Sequence, residues 1–364
     1  MSRDTYLRLS LPARVQRGVL LAAARIPEAA LAVLGRRAPV NSDGERVAPE
    51  LVAVGWATDH VPGSDPFAGE VDQSRAQTDE LGAAMAENLP PMAVEEDLLI
   101  DGPAGPIPAT RYRSSIDSDG VIVYFHGGGF VTGSRISHDT FVRRLAHGTG
   151  LDVLSVEYRL APENPFPAGV DDAVAAWHFA VDMAPRWGVD PERIVVAGDS
   201  AGGNLATVVA RLVRDEPITP IFQLLIYPVT DATAETPSRR EFASGYFLSL
   251  DGIHWFNDRY VPDVEQRTDP RCSPLLAEDL GGLAPAHVIV AGFDPLRDEG
   301  LAYAKRLEEA GVPVSLRREG TLIHGFINMT LISPGARAAV DRMCAEVRRA
   351  LDEAPPSGRE SIAG

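Results

Sequence analysis

Beyond residue 93 the chain settles into a repeating pattern, with short apolar runs alternating with longer stretches that place an apolar residue every three or four positions. Eight of the short runs read as strands, at 97–100, 107–112, 121–125, 153–158, 194–197, 222–227, 288–291 and 314–317. The first two predict a hairpin. Stretches 170–184, 201–213, 299–310 and 336–351 carry the helical period, and each ends at Gly, Pro or a polar break. Strands that alternate with helices are joined by crossovers. The pattern therefore predicts an α/β fold, an eight-stranded and mostly parallel sheet flanked by helices.

One interval breaks the rhythm. Residues 231–283 are too many for an ordinary connection, and they carry Tyr246, Phe247, Trp255, Phe256 and Tyr260 among polar residues. They read as a helical excursion inserted above the sheet. Residues 41–92 are acidic, rich in Pro and Gly, and show no sustained strand pattern, so a boundary falls near residue 93. The expected organisation is an N-terminal segment 1–93, an α/β core 94–354 containing the insertion, and a frayed polar tail 355–364. The run 19–35 is apolar and follows Arg3, Arg8, Arg14 and Arg17, but Arg25, Pro27 and Glu28 interrupt it. Neither a membrane span of about 18 residues nor a clean signal sequence fits. The reading preferred is an amphipathic helix on the protein's own surface.

Composition narrows the partners. Hydrophobic residues at 45% and charged residues at 23% match an ordinary globular chain, so neither disorder nor stable membrane insertion is expected. The 51 acidic against 34 basic residues leave a net charge of −17, which repels phosphate backbones and argues against nucleic acid as a partner. Assembly as a homodimer is left open. The two cysteines, Cys272 and Cys344, are far apart and lack CxxC spacing, which favours a reducing, cytoplasmic setting over a disulfide framework or zinc site. The adjacent acids Asp171 and Asp172 read as solvated helix residues rather than metal ligands. Phosphate-loop, HExxH and GxGxxG patterns are absent, so no metal or cofactor is expected.

The chemistry concentrates at three places. Gly198-Asp199-Ser200-Ala201-Gly202 follows an apolar strand and opens a helical run, the setting in which a serine sits on a sharp turn between glycines that relieve crowding. His126-Gly127-Gly128-Gly129-Phe130 follows the strand 121–125, where successive glycines let backbone N–H groups approach a reacting carbonyl. Acyl transfer by Ser200 further needs a base and a carboxylate to orient it. Of the downstream histidines, His254 lies in the aromatic excursion and His287 at the start of a strand, whereas His324 lies in the loop after the last strand. Asp294 ends the strand before it and is preferred as the carboxylate over Asp298, which fits the first turn of the next helix. The order Ser200, Asp294, His324 is that of an α/β-hydrolase triad.

Together with Tyr158-Arg159-Leu160-Ala161-Pro162-Glu163, Pro165-Phe166-Pro167-Ala168 and Asp294-Pro295-Leu296-Arg297-Asp298-Glu299, these motifs make residues 95–350 resemble the hormone-sensitive-lipase family of α/β-hydrolases. The resemblance implies an oxyanion hole from the backbone N–H groups of Gly128, Gly129 and Ala201, and a cap built from the N-terminal segment and the insertion. It implies a serine carboxylic-ester hydrolase of the esterase or lipase type, acting on a small ester of short- to medium-chain acids. Arg159 and Glu163 are read as scaffold around the elbow. Amide or N-acyl hydrolysis needs the same triad and stays open. A non-catalytic small-molecule receptor also occurs on this scaffold, but such receptors lack the histidine that is present here as His324. Phe130, Tyr246, Phe247 and Trp255 are the candidate substrate contacts, under an N-terminal lid that shapes the acyl pocket without supplying chemistry.

Overall fold

In the computed structural model, which describes residues 11–23, 25, 35–60, 66–67, 69–115 and 117–354, successive side chains of the central strands go to opposite faces of one sheet. Val121, Val123 and Phe125 enter one core, and Ile122 and Tyr124 enter the other. The strand period of two thus divides the apolar residues between two layers. The first core is completed by helices Ala168–Met183, Ala201–Leu212 and Arg297–Glu309, and the second by helices Asp139–Thr149 and Pro334–Glu353. Because both faces are covered, β3 (Val121–Phe125), β5 (Ile194–Asp199) and β6 (Phe222–Ile226) are buried along their whole length.

The eight strands run in the order β1-β2-β4-β3-β5-β6-β7-β8, where β1 is Val94–Gly102, β2 Gly105–Arg113, β4 Asp152–Val156, β7 Ala286–Phe293 and β8 Val314–Ile323. Only β2 runs against its neighbours, and with β1 it makes the expected hairpin. All eight runs read from the sequence are strands, and β8 continues six residues further than expected. Its Arg317, Arg318 and Glu319 are polar because β8 is an edge strand, and a register shift between Ala291 and Phe293 lets it bend before pairing Phe293 with Ile323.

Helices that the pattern did not single out lie over this sheet. Asp139–Thr149 buries Asp139 and Arg143 as an ion pair at 2.8 Å, which hides a core-facing helix behind charged residues. Pro49–His60 and Val71–Ala84 occupy the segment read as irregular, and the second buries only Ser74, Ala83 and Ala84, too small to register as an apolar stripe. Leu11–Ala23 is helical and lies on the protein surface, with Ala13 against Ala83 and Arg17 donating to the carbonyls of Ala84 and Ala86. The rest of the run 19–35 falls partly outside the described residues, as does the whole of 355–364. No helix among the described residues is long and apolar enough to cross a membrane.

The insertion 231–283 contributes helices Pro237–Glu241 and Leu250–Tyr260 with short 3₁₀ turns, so its helical character is as expected. Asp172 departs from expectation. It is fully buried and holds the Arg159 guanidinium at 2.7 Å, fixing the chain after β4 to helix Ala168–Met183; a solvated position would leave Arg159 without this partner.

Candidate active site

Strand register carries the reactive residues to one place. Phe125 of β3 pairs with Gly198 of β5, so the glycine loop and the serine turn leave the sheet side by side. Phe293 of β7 pairs with Ile323 of β8, so Asp294 and His324 are the next residues out of adjacent parallel strands. These are the carboxyl ends of the strands, where open α/β sheets place their sites.

Ser200 sits between β5 and helix Ala201–Leu212 with φ 54° and ψ −116°, a conformation that costs a non-glycine residue about 1–3 kcal/mol. The surroundings enforce it: its N–H donates to the Ile226 carbonyl at 2.8 Å, and its own carbonyl accepts from Val229 at 3.1 Å. A side chain at Gly202 would strike the Phe125 carbonyl, and one at Gly198 would strike the Gly202 backbone, so the turn closes only with both glycines.

The Ser200 hydroxyl lies 3.0 Å from His324 Nε2, and His324 Nδ1 lies 2.7 Å from Asp294 Oδ2. Asp294 is fully buried, and its other oxygen accepts the Leu296 N–H at 2.8 Å. Asp298 is turned away, bonded to Arg297 at 2.9 Å and to the Ser238 N–H at 2.8 Å. His287 is bound to the Ser315 carbonyl within the sheet, and His254 is exposed on its helix. A carboxylate on Nδ1 fixes the tautomer in which Nε2 is free to accept the serine proton.

Gly128 and Gly129 take φ of 115° and 58°, and among the described residues the N–H groups of Gly128, Gly129 and Ala201 have no protein acceptor. Ala201 is also the first residue of its helix, whose free N–H groups and positive end face the serine. A cleft opens here, with Ser200, His324, Gly128 and Gly129 in its walls.

Of the aromatic residues expected to meet substrate, Phe130 and Phe247 line this cleft. Tyr246 and Trp255 do not. The Tyr246 ring packs against Phe242 and Phe293, 5.4 and 5.3 Å away, because the turn at Phe247 (φ 73°) sends consecutive side chains apart. Trp255 lies one position off the buried stripe Ile253, Phe256 and Tyr260; its indole N–H reaches the Gly69 carbonyl and Arg259 covers its ring. Phe256 takes its place, alongside Ile253, Leu248 and Phe67. The aromatic insertion signalled Phe256, whereas nothing around Phe67 marked it.

Sequence reasoning also passed over Asp199, inside the serine motif. Its Oδ1 accepts the Gly127 N–H at 2.8 Å and the Tyr124 hydroxyl at 2.5 Å, and His138 Nε2 lies 3.4 Å away. Burial works to raise its pKa, but His138, the Tyr124 hydroxyl and the Gly127 N–H outweigh it and hold the carboxyl below its ordinary value. The carboxylate thus anchors the glycine loop. Tyr158 does the same from below, donating to the His126 carbonyl at 2.8 Å and stacking on the His126 ring. In Asp199→Asn the anchoring charge is lost, and kcat is expected to fall about 10- to 100-fold with KM nearly unchanged. Parallel slowing of inactivation by a fluorophosphonate checks this. A lowered melting temperature with kcat and inactivation rate intact would restrict Asp199 to folding.

Comparison with known proteins agrees with this architecture. Residues 122–328 match a family model described as the alpha/beta hydrolase fold. The chain is 43% identical over 339 residues to the carboxylic ester hydrolase LipN of Mycobacterium tuberculosis, an alignment covering 90% of this chain and 89% of that protein. It is 40% identical to the ethyl acetate hydrolase of Pseudomonas putida, over 71% of this chain and 84% of that one. Among solved structures, the hyperthermophilic esterase of the archaeon Pyrobaculum calidifontis superposes with a TM-score of 0.78 at 39% identity, covering 83% of this chain and 98% of its own. With its sheet order, serine turn and glycine loop, the chain belongs to the α/β-hydrolase-fold family, in the group resembling hormone-sensitive lipase.

Proposed function

We propose that this protein, a carboxylic-ester hydrolase, cleaves short- to medium-chain acyl esters by transferring the acyl group to Ser200. The observation that carries the reading is the unbroken line from Asp294 through His324 to the Ser200 hydroxyl at the wall of an apolar cleft. Ser200 Oγ attacks the acyl carbon as His324 Nε2 takes its proton, and Asp294 stabilises the imidazolium that results. The N–H groups of Gly128, Gly129 and Ala201 hold the tetrahedral oxyanion. His324 then returns the proton to the leaving alcohol oxygen, and the same sequence with water in place of the serine hydroxyl releases the acid.

Ester rather than amide cleavage is supported by relatives named as ester hydrolases. A cap made of 1–93 and 231–283 is supported by the residues that each supplies to the cleft, Phe67 and Thr78 from the first and Phe247, Leu248, Ile253 and Phe256 from the second. A cytoplasmic location is supported by the two cysteines, Cys272 and Cys344, being free thiols rather than a disulfide pair.

Rates on p-nitrophenyl acetate, butyrate, octanoate and palmitate, with the matching p-nitroanilides, test the reading. Acetate to octanoate are expected to be turned over, palmitate at least about tenfold more slowly in kcat/KM, and the anilides at least about 100-fold more slowly than the esters. Equal rates on anilides and esters would move the assignment to an amidase.

A further inference from the structure

Helix Val71–Ala84 of the N-terminal segment buries little apolar surface, yet its polar side chains are tied to the core. Arg75 and Asp79, one turn apart on the same face, both reach the chain just beyond the glycine loop. Arg75 Nε donates to the Val131 carbonyl at 2.9 Å, and its Nη2 donates to the Ala161 carbonyl at 2.9 Å. The same guanidinium meets the Glu163 carboxylate through Nη1 at 2.9 Å and Nη2 at 2.7 Å. Asp79 Oδ1 accepts from the Ser134 hydroxyl at 2.5 Å.

These bonds bear on the aim of an oxyanion donor. The Gly128 carbonyl and the Gly129 N–H belong to one planar trans peptide and point in opposite directions, so holding the carbonyl orients the N–H. That carbonyl accepts the N–H groups of Val131 and Thr132 at 3.1 and 2.8 Å and the Thr132 hydroxyl at 3.1 Å. The turn 128–132 is therefore the brace behind Gly129. Its outer side is tied at two places, where the Phe130 carbonyl accepts the Ala161 N–H at 2.9 Å and the Val131 carbonyl accepts Arg75. Because Arg75 also holds the Ala161 carbonyl, one rigid planar group spans both ties.

We propose that Arg75 is a positioning residue for the oxyanion hole, joining the Val131 and Ala161 carbonyls so that the turn behind Gly129 keeps its N–H aimed at the developing oxyanion. The inference rests on the acyl-serine reading above. Such donors act at full strength only when their direction is fixed before the reaction. The N-terminal segment thus sets the rate of the chemical step, although none of its residues touches the reacting atoms. The ion pair with Glu163 is secondary. Its side chains are 26% and 54% exposed, so water screens the attraction, whereas the two carbonyl bonds act directly on the loop.

Three variants separate this role from a clasp that only holds the helix in place. Arg75→Met keeps the stem and removes the fork, Arg75→Lys keeps the charge beside Glu163 without a planar fork to span two carbonyls, and Glu163→Gln removes the ion pair while leaving both carbonyl bonds. Per active site titrated with a small fluorophosphonate, both Arg75 variants are expected to lose about tenfold or more in kcat on p-nitrophenyl acetate, with KM within about twofold of wild type. Affinity for an alkyl trifluoromethyl ketone, which adds the serine hydroxyl to give a tetrahedral oxyanion, is expected to fall by the same factor. Glu163→Gln is expected to stay within about threefold of wild type in both measurements. If Arg75→Met fails to fold and takes no label, Arg75→Lys carries the test. Unchanged kcat and ketone affinity per labelled site, with only the melting temperature lowered, would overturn the proposal. So would a loss of kcat with ketone affinity intact, or a loss in Glu163→Gln equal to that of the Arg75 variants. Failure of the acyl-serine reading is a different result, since wild type would then take no label at Ser200.

Discussion

Ser200→Ala is expected to lower kcat on p-nitrophenyl butyrate by about 10⁴-fold or more while leaving the fold intact. The hydroxyl supplies both the attacking oxygen and the hydrogen-bond partner of His324 Nε2 at 3.0 Å, and Ala removes both without adding an atom. What remains is the set of backbone donors around Gly128, Gly129 and Ala201, which in comparable sites still gives roughly 10³–10⁴ over the uncatalysed reaction. The variant should therefore bind ester and turn it over slowly. Its melting temperature should be at or slightly above that of wild type, because nothing in the core depends on the hydroxyl. Circular dichroism melts and steady-state kinetics check both parts. A kcat within tenfold of wild type in a folded variant would remove Ser200 from the chemistry.

The second large effect separates the acids. His324→Ala is expected to lose about as much as Ser200→Ala, because acting as a unit makes the two losses overlap rather than multiply. Asp294→Asn is expected to lose about 10³–10⁴ in kcat, since an amide at 2.7 Å from Nδ1 favours the tautomer that leaves Nε2 protonated and unable to accept. Asp298→Asn should stay within about tenfold, because that carboxylate is committed to Arg297 and Ser238 and never reaches the imidazole. A greater loss at Asp298 than at Asp294 would reverse the assignment.

How far these features can be read from sequence depends on the kind of interaction that fixes them. β3 and β5 were legible because every residue is buried and the runs are short, a signal that survives without knowledge of partners. Ser200 was legible because its strained turn demands glycines, which stand out in any chain. The adjacency of Asp294 and His324 was only half legible. Their order could be read, but the bend in β8 that brings Ile323 opposite Phe293 lies in a stretch whose Arg and Glu residues disguise a strand. Where small or paired residues do the packing, the pattern failed: Ala83 and Ala84 leave no stripe, and Asp139, Arg143 and Asp172 are buried only because each has its counter-charge beside it. Trp255 shows a different limit. Composition put an aromatic residue on the helix above the site, but only the helical phase, set by Ile253 and Phe256, decides which one enters the cleft.

The most direct measurement is to catch the acyl group on the enzyme. Wild-type protein mixed with excess p-nitrophenyl acetate and quenched in acid within milliseconds should gain a single acetyl group, and peptide mass mapping should place it on Ser200. Release of p-nitrophenol should show a burst of up to one equivalent if deacylation is the slower step. An acetyl group found on another residue in turnover-competent protein would contradict the account. So would its absence from Ser200 when a burst shows that acyl-enzyme has accumulated.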